Sequence, residues 1–224
     1  MSEANQLALQ LTEAIADIHR RGWCDGTGGN FSCVRSCEPL TLLMAPSGVD
    51  KGRVQPQDLI VVDGSGQVID GAGKASAETL LHLAIVQATA AAAVLHTHSQ
   101  AGTLLSQWAL AEGQQHGDLE LRNLEMLKGL AGINSHATTV QIPVLANDQN
   151  LERLSAQAMP LLAAAPGGLL IGGHGLYAWG SSLPVARRHV EILEFLLEQR
   201  WRQLLLSGLS ALSTASAAAA AMQP

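Results

Sequence analysis

The sequence predicts one α/β domain, a sheet flanked by helices, and three observations carry that reading. Segments with helical apolar spacing alternate with short strand-like runs along the chain. The 224 residues are 47% hydrophobic and 14% charged, enough apolar material for one core and too little charge for a disordered chain. Glycine- and proline-bearing turns punctuate the segments, and no fixed-period repeat or linker divides them.

From residue 3 to 21, Leu7, Leu11, Ala14, Ile15 and Ile18 recur at three- and four-residue spacing, which predicts an amphipathic helix closed by Gly22. A loop dense in Gly and Asp follows. Apolar runs at 31–35 and 40–45 read as strands around the Pro46-Ser47-Gly48 turn that comes next, and a strand at 59–62 turns through Asp63-Gly64-Ser65-Gly66 into another at 67–69. This half reads as a small meander. Ser76 is placed to cap a helix carrying Glu78, Leu81 and Ile85 that fades near 88–91. Residues 94–98 then alternate apolar and polar side chains, as a strand does.

Further along, the pattern predicts a short helix near 123–130, a strand at 138–142 and a helix over 151–162. Two strands, 169–172 and 175–179, flank His174, and Pro184 opens a long final helix bearing Val185, Ile192, Leu193, Leu196 and Leu197. The expected organisation is a catalytic domain over 1–206 and a tail over 207–224, uncharged, rich in Ala and Ser and containing a run of five alanines.

The composition excludes several function classes. A net charge of −6 leaves no basic excess for nucleic-acid phosphates or an anionic membrane surface. No stretch of about 20 apolar residues could span a bilayer. Residues 1–6 carry no positively charged start to an export signal, so a cytoplasmic setting is expected. Cys24, Cys33 and Cys37 are an odd, sparse set, which suits reduced thiols better than a disulfide framework, and a three-residue gap between Cys33 and Cys37 is not a zinc-ribbon spacing.

Eight histidines against seven aromatic residues direct attention to metal chemistry. His96 and His98 stand two apart, so a strand would put both imidazoles on one face, able to converge on one ion. The competing reading is two polar side chains on a solvent face. A third histidine, His174, sits in Gly172-Gly173-His174-Gly175, where the backbone can turn sharply and aim the ring. Glu78 and Glu125 are carboxylates that could complete such a site or move protons beside it, although a solvated glutamate is the ordinary reading of each. His82 follows Glu78 by one helical turn and is expected to pack or lie on the surface. A second constellation is the set of small polar loops, Thr27 and Asn30, then Ser47 and Gly48, then Ser76, whose hydroxyls, amide and backbone N–H groups suit a phosphate monoester. No P-loop and no dinucleotide-binding fingerprint is present.

In this order the motifs Thr27-Gly28-Gly29-Asn30-Phe31-Ser32, Pro46-Ser47-Gly48, Ser76-Ala77-Glu78, His96-Thr97-His98 and Gly173-His174-Gly175 resemble the class II aldolase/adducin family over about residues 8–205. Leu124-Glu125-Met126-Leu127-Lys128-Gly129 and the run from His174 to Gly180 resemble its dehydratase branch. The resemblance implies a three-layer α/β/α fold with a largely antiparallel sheet. It also implies one zinc ion per subunit on His96, His98 and His174, and a phosphate cradle of Thr27, Asn30, Ser47, Gly48 and Ser76. Glu78 would stand beside the metal and Glu125 would act as acid/base on a small phosphorylated ketose, removing water. A homotetramer with active sites between subunits is implied as well. Alternatives within the family are an aldolase or 4-epimerase, and a non-catalytic adducin-like binding module. Two features weigh against the aldolase: Ala77 replaces a second phosphate-binding serine, and the chain's one tyrosine, Tyr177, lies in the His174 motif.

Overall fold

The computed structural model describes residues 3–221. Nine strands form one sheet in the order β4-β3-β2-β1-β5-β9-β8-β7-β6. The strands are β1 (Asn30–Cys37), β2 (Leu40–Met44), β3 (Ile60–Asp63), β4 (Val68–Asp70), β5 (Ala93–Thr97), β6 (His116–Arg122), β7 (Thr139–Leu145), β8 (Gly168–Ile171) and β9 (Gly175–Gly180). The predicted meander is β1 to β4, each antiparallel to the next. Every other pairing is antiparallel too, except the parallel β7–β8 pair.

Helices cover both faces. Leu11, Ile15 and Ile18 of α1 (Glu3–Arg20), Leu105 of α3 (Gln100–Trp108) and Val190, Leu193 and Leu197 of α5 (Leu183–Ala221) share one buried cluster with Leu95 and Ala178 of the sheet. Leu81 and Ile85 of α2 (Thr79–Thr89) and Leu154 and Leu162 of α4 (Leu151–Leu162) share another with Val94, Tyr177 and Trp179. Neighbouring strand positions thus feed opposite cores, as a pleat of period two requires. The result is the expected three-layer α/β/α arrangement.

The structure departs from the sequence reading in four places. α3 was not anticipated, because its buried face is made of Ala101, Gly102 and Ser106 beside a single Leu105, too small a set to show apolar periodicity. β6 was missed because it is an edge strand with only Leu119 and Leu121 buried, existing through its pairing with β7. The helix near 123–130 is a 3₁₀ turn, Glu125–Gly129. Finally, α2 begins at Thr79 with Glu78 at its cap position, so the Ser76 hydroxyl accepts from the Glu78 amide at 3.3 Å in the turn before the helix.

No break separates the tail from the domain: α5 continues to Ala221, with Leu206, Leu209 and Leu212 exposed along it. Residues 222–224 of the tail and residues 1–2 of the N-terminal segment lie outside the described residues. Among the described residues, no helix is long and apolar enough to cross a membrane.

Candidate metal centre and substrate cavity

β5 and β9 build the centre of the site. His96 and Tyr177 are opposed across this antiparallel pair, and their rings stack with centroids 3.9 Å apart and 11° between planes. Both point to the α2 side, whereas Thr97 points to the α5 side, where its hydroxyl donates to Glu194. His96 is fully buried. Its Nδ1 donates to the Leu176 carbonyl at 2.9 Å, which fixes the tautomer and leaves the Nε2 lone pair aimed into the site.

His98 stands one residue past the end of β5, where its amide donates to the Trp23 carbonyl at 2.7 Å. It nevertheless brings Nε2 to within 2.8 Å of His96 Nε2. His174 Nε2 lies 3.3 Å from the same atom, carried by the turn between β8 and β9. That turn requires glycine: Gly173 has φ 65°, and a Cβ at Gly175 would fall 2.0 Å from the Thr97 carbonyl oxygen. Thr103 on α3 tethers the turn through the His174 carbonyl at 3.1 Å.

Glu78 closes the cluster from the start of α2. Its Oε1 is 3.0 Å from His174 Nε2 and its Oε2 is 3.9 Å from His96 Nε2, while the Asn30 amide donates to Oε2. One donor atom from each of Glu78, His96, His98 and His174 lies within 4.8 Å of all the others. Burial, and then the neighbouring imidazoles, hold His96 well below the ordinary histidine range. Burial also lowers His98, with His174 next in effect. For Glu78, burial pushes upward but is outweighed by the His174 hydrogen bond and nearby imidazole charge, so its carboxyl ends lower than usual. Neutral imidazoles crowded nitrogen to nitrogen beside a carboxylate fit a divalent cation, because a shared ion turns repelling lone pairs into ligands.

His82 is buried behind this centre with Nδ1 2.8 Å from the Ser32 hydroxyl, and burial lowers it to about 4. It is a packed histidine, as expected. Tyr177 is also fully buried, and its hydroxyl has no partner among the described residues.

Thr27, Asn30, Ser47, Gly48 and Ser76 all line one cavity of about 350 Å³ together with Glu78, His98 and His174. Gly48 has φ 74° and open space where a Cβ would be, so the chain turns there without filling the cavity. Sequence reasoning missed Lys51, Asn147 and Gln149 on the same wall. Lys51, four residues after Ser47 in a glycine-bearing loop, reads as a surface charge, yet it is 1% exposed. The Asn147–Gln149 stretch arrives through the β7 to α4 connection, far from the other loops in sequence.

Glu125 does not line this cavity. It opens the 3₁₀ turn packed against α5, its side chain is 68% exposed, and it pairs with Lys128 and lies 3.7 Å from His136. The Lys128 hydrogen bond is the main cause holding its carboxyl below the usual range.

Residues 9–201 match the family model described as class II aldolase and adducin N-terminal domain. Among curated relatives, the methylthioribulose-1-phosphate dehydratase of Methylococcus capsulatus is 42% identical over 204 residues, covering 90% of this chain and 96% of the relative. The enzyme of that name from Pseudoalteromonas translucida is 38% identical, covering 94% and 98%. Among solved structures, YgbL from Klebsiella pneumoniae superposes with a TM-score of 0.73 at 27% identity, over 90% of this chain and 91% of its own. The L-fuculose-1-phosphate aldolase of Thermus thermophilus does so with a TM-score of 0.72 at 25% identity, over 92% and 98%.

Proposed function

The chain belongs to the class II aldolase and adducin family, and on that premise we propose that it is a hydro-lyase of methionine salvage. Its reaction is the dehydration of 5-methylthioribulose 1-phosphate to 5-methylthio-2,3-dioxopentyl phosphate. The observation that carries this reading is the convergence of three imidazoles and Glu78 on the wall of a cavity built from small polar loops. The dehydratase relatives, similar over nearly the whole chain, support the choice of reaction. The free thiols of Cys24, Cys33 and Cys37 suit a reducing, cytoplasmic setting.

His96, His98 and His174 would hold zinc, with Glu78 beside it, and the ion would supply Lewis acidity at the ketose carbonyl oxygen. The Leu176 carbonyl keeps His96 in the ligand tautomer. Thr27, Asn30, Ser47, Gly48 and Ser76 would seat the phosphoryl group and so set the distance from C1 to the metal centre. Loss of the C3 proton to a carboxylate supplies the electron pair that expels the C4 hydroxyl, which leaves as water after taking a proton. The resulting C3–C4 enol then ketonises by gaining a proton at C4 as its C3 hydroxyl gives up a proton to become the second carbonyl.

Glu125 is the carboxylate we assign to the C3 proton, acting on the cavity of a neighbouring copy in a homotetramer. Its exposure supports this, as does that of the next residue, Met126, and of Phe195, two apolar side chains on the wall of a second cavity of about 520 Å³. Tyr177, sealed in the core, is unavailable as the proton donor an aldolase would take from such a partner. The direct test is incubation of purified, metal-replete protein with 5-methylthioribulose 1-phosphate. Loss of one water to the diketone is expected; cleavage into two- and three-carbon fragments, or no loss of water, overturns the reading.

A further inference from the structure

Lys51 is a buried cation with no carboxylate in ion-pair contact among the described residues, and it lies on the wall of the substrate cavity. Its ammonium donates to two backbone carbonyls, Thr27 O at 3.1 Å and Val49 O at 3.3 Å. Those two atoms belong to different loops, the one before β1 and the one after β2, and each loop supplies cavity-lining residues. An ammonium has three N–H donors, so one remains after both loops are tied. A short 3₁₀ turn, Lys51–Arg53, holds the residue in place, with the Asp50 side chain accepting from the Gly52 amide at 2.9 Å.

Burying an ammonium is costly unless something anionic repays it. Two neutral carbonyls do so only in part, and burial lowers the affinity of Lys51 for its proton while Cys24, and after it Glu78 and Asp50, act to retain it. An anion in the cavity would supply the missing partner. The polar loops alone offer hydroxyls, an amide and backbone groups, so Lys51 is also the local positive charge that the chain's net charge of −6 does not provide.

We propose that Lys51 binds the phosphoryl group of the substrate, stapling the Thr27 and Val49 loops together and directing its remaining N–H into the cavity between them. The inference rests on the reading of this cavity as a phosphate site, and it commits to the phosphoryl end of a sugar phosphate as the ligand. Lys51 therefore acts on affinity for the phosphate, and the proton transfers at C3 and C4 proceed without it.

The test uses the metal-loaded protein with inorganic phosphate as probe, by calorimetry and by competition against turnover. Lys51→Met should weaken phosphate binding by about tenfold or more, on the scale of a lost charge-assisted hydrogen bond. KM should rise by a similar factor, while kcat and metal content stay within about threefold of wild type. Should the variant fail to fold, ¹⁵N-lysine spectra of the wild type replace it. Phosphate should then shift the Lys51 ammonium resonance, assigned by converting Lys74 and Lys128 to arginine. Wild type that binds no phosphate overturns the cavity reading itself. Wild type that binds phosphate, with equal binding by Lys51→Met or an unmoved Lys51 resonance, overturns only the role given to Lys51.

Discussion

The Nε2 nitrogens of His96 and His98 stand 2.8 Å apart, with Nδ1 of His96 already committed to the Leu176 carbonyl. No rotation of His96 relieves that approach without breaking the Leu176 bond and the stacking on Tyr177. The arrangement could hold a metal ion as it stands, with four donor atoms within 4.8 Å of one another.

Metal removal therefore should destabilise the protein as well as inactivate it. Binding at about a thousand times the dissociation constant adds about 4 kcal/mol, which for a domain of this size is about 10 °C in Tm. Calorimetry before and after chelation should show that loss, with recovery on adding zinc. His96→Ala should retain less than about 0.2 zinc per chain, since it removes the imidazole whose Nε2 stands between those of His98 and His174 and leaves the other two rings without the group they converge on. Unchanged zinc content in this variant would remove His96 from the ligand set.

Glu125→Gln should keep the fold and the metal, because the side chain is exposed and its ion-pair partners among the described residues are Lys128 and His136. Turnover should fall by about 10²-fold or more, the scale of a lost general acid/base. If Glu125 serves the cavity of a partner subunit, co-expression of Glu125→Gln with His96→Ala chains should restore activity well above either variant alone. Assemblies as inactive as their parents would remove Glu125 from the cavity of a partner subunit.

Glu194 gives the stability a pH dependence. It is buried on α5 beneath the β5 exit, accepts from Thr97, and is raised by burial from 4.5 to about 7. The folded state holds this proton more tightly than the unfolded chain does. Its contribution is therefore complete below pH 4.5 and is lost as pH rises through about 7, a change of about 3 kcal/mol. Glu194→Gln has no proton to lose there. Urea unfolding at pH 5 and pH 8 should show wild type falling relative to the variant by about that amount, and parallel behaviour of the two would refute the shift.

Much of the fold was legible because it is written in local periodicity. The helix α1, the meander β1 to β4, the strands around His174 and the start of α5 all declare themselves through apolar spacing and turn residues. α3 and β6 did not, since the first buries small side chains against α5 and the second depends on a strand twenty residues downstream. The site was legible in its residue types, and the glycines at 173 and 175 announced a constrained turn. What they accommodate, the close approach of Thr97, was visible only in three dimensions.

By itself the sequence determined the chemistry available: three histidines in glycine-bearing or strand contexts, two candidate carboxylates, small polar loops, and a net charge of −6 with no basic excess. Those properties belong to residues and their near neighbours. Tertiary structure alone decided that Glu78 joins His96, His98 and His174 while Glu125 faces away, and that Lys51 lies buried between two loops. The physical reason is that burial and convergence arise from strand pairing between segments about 80 residues apart, and no local pattern encodes that pairing.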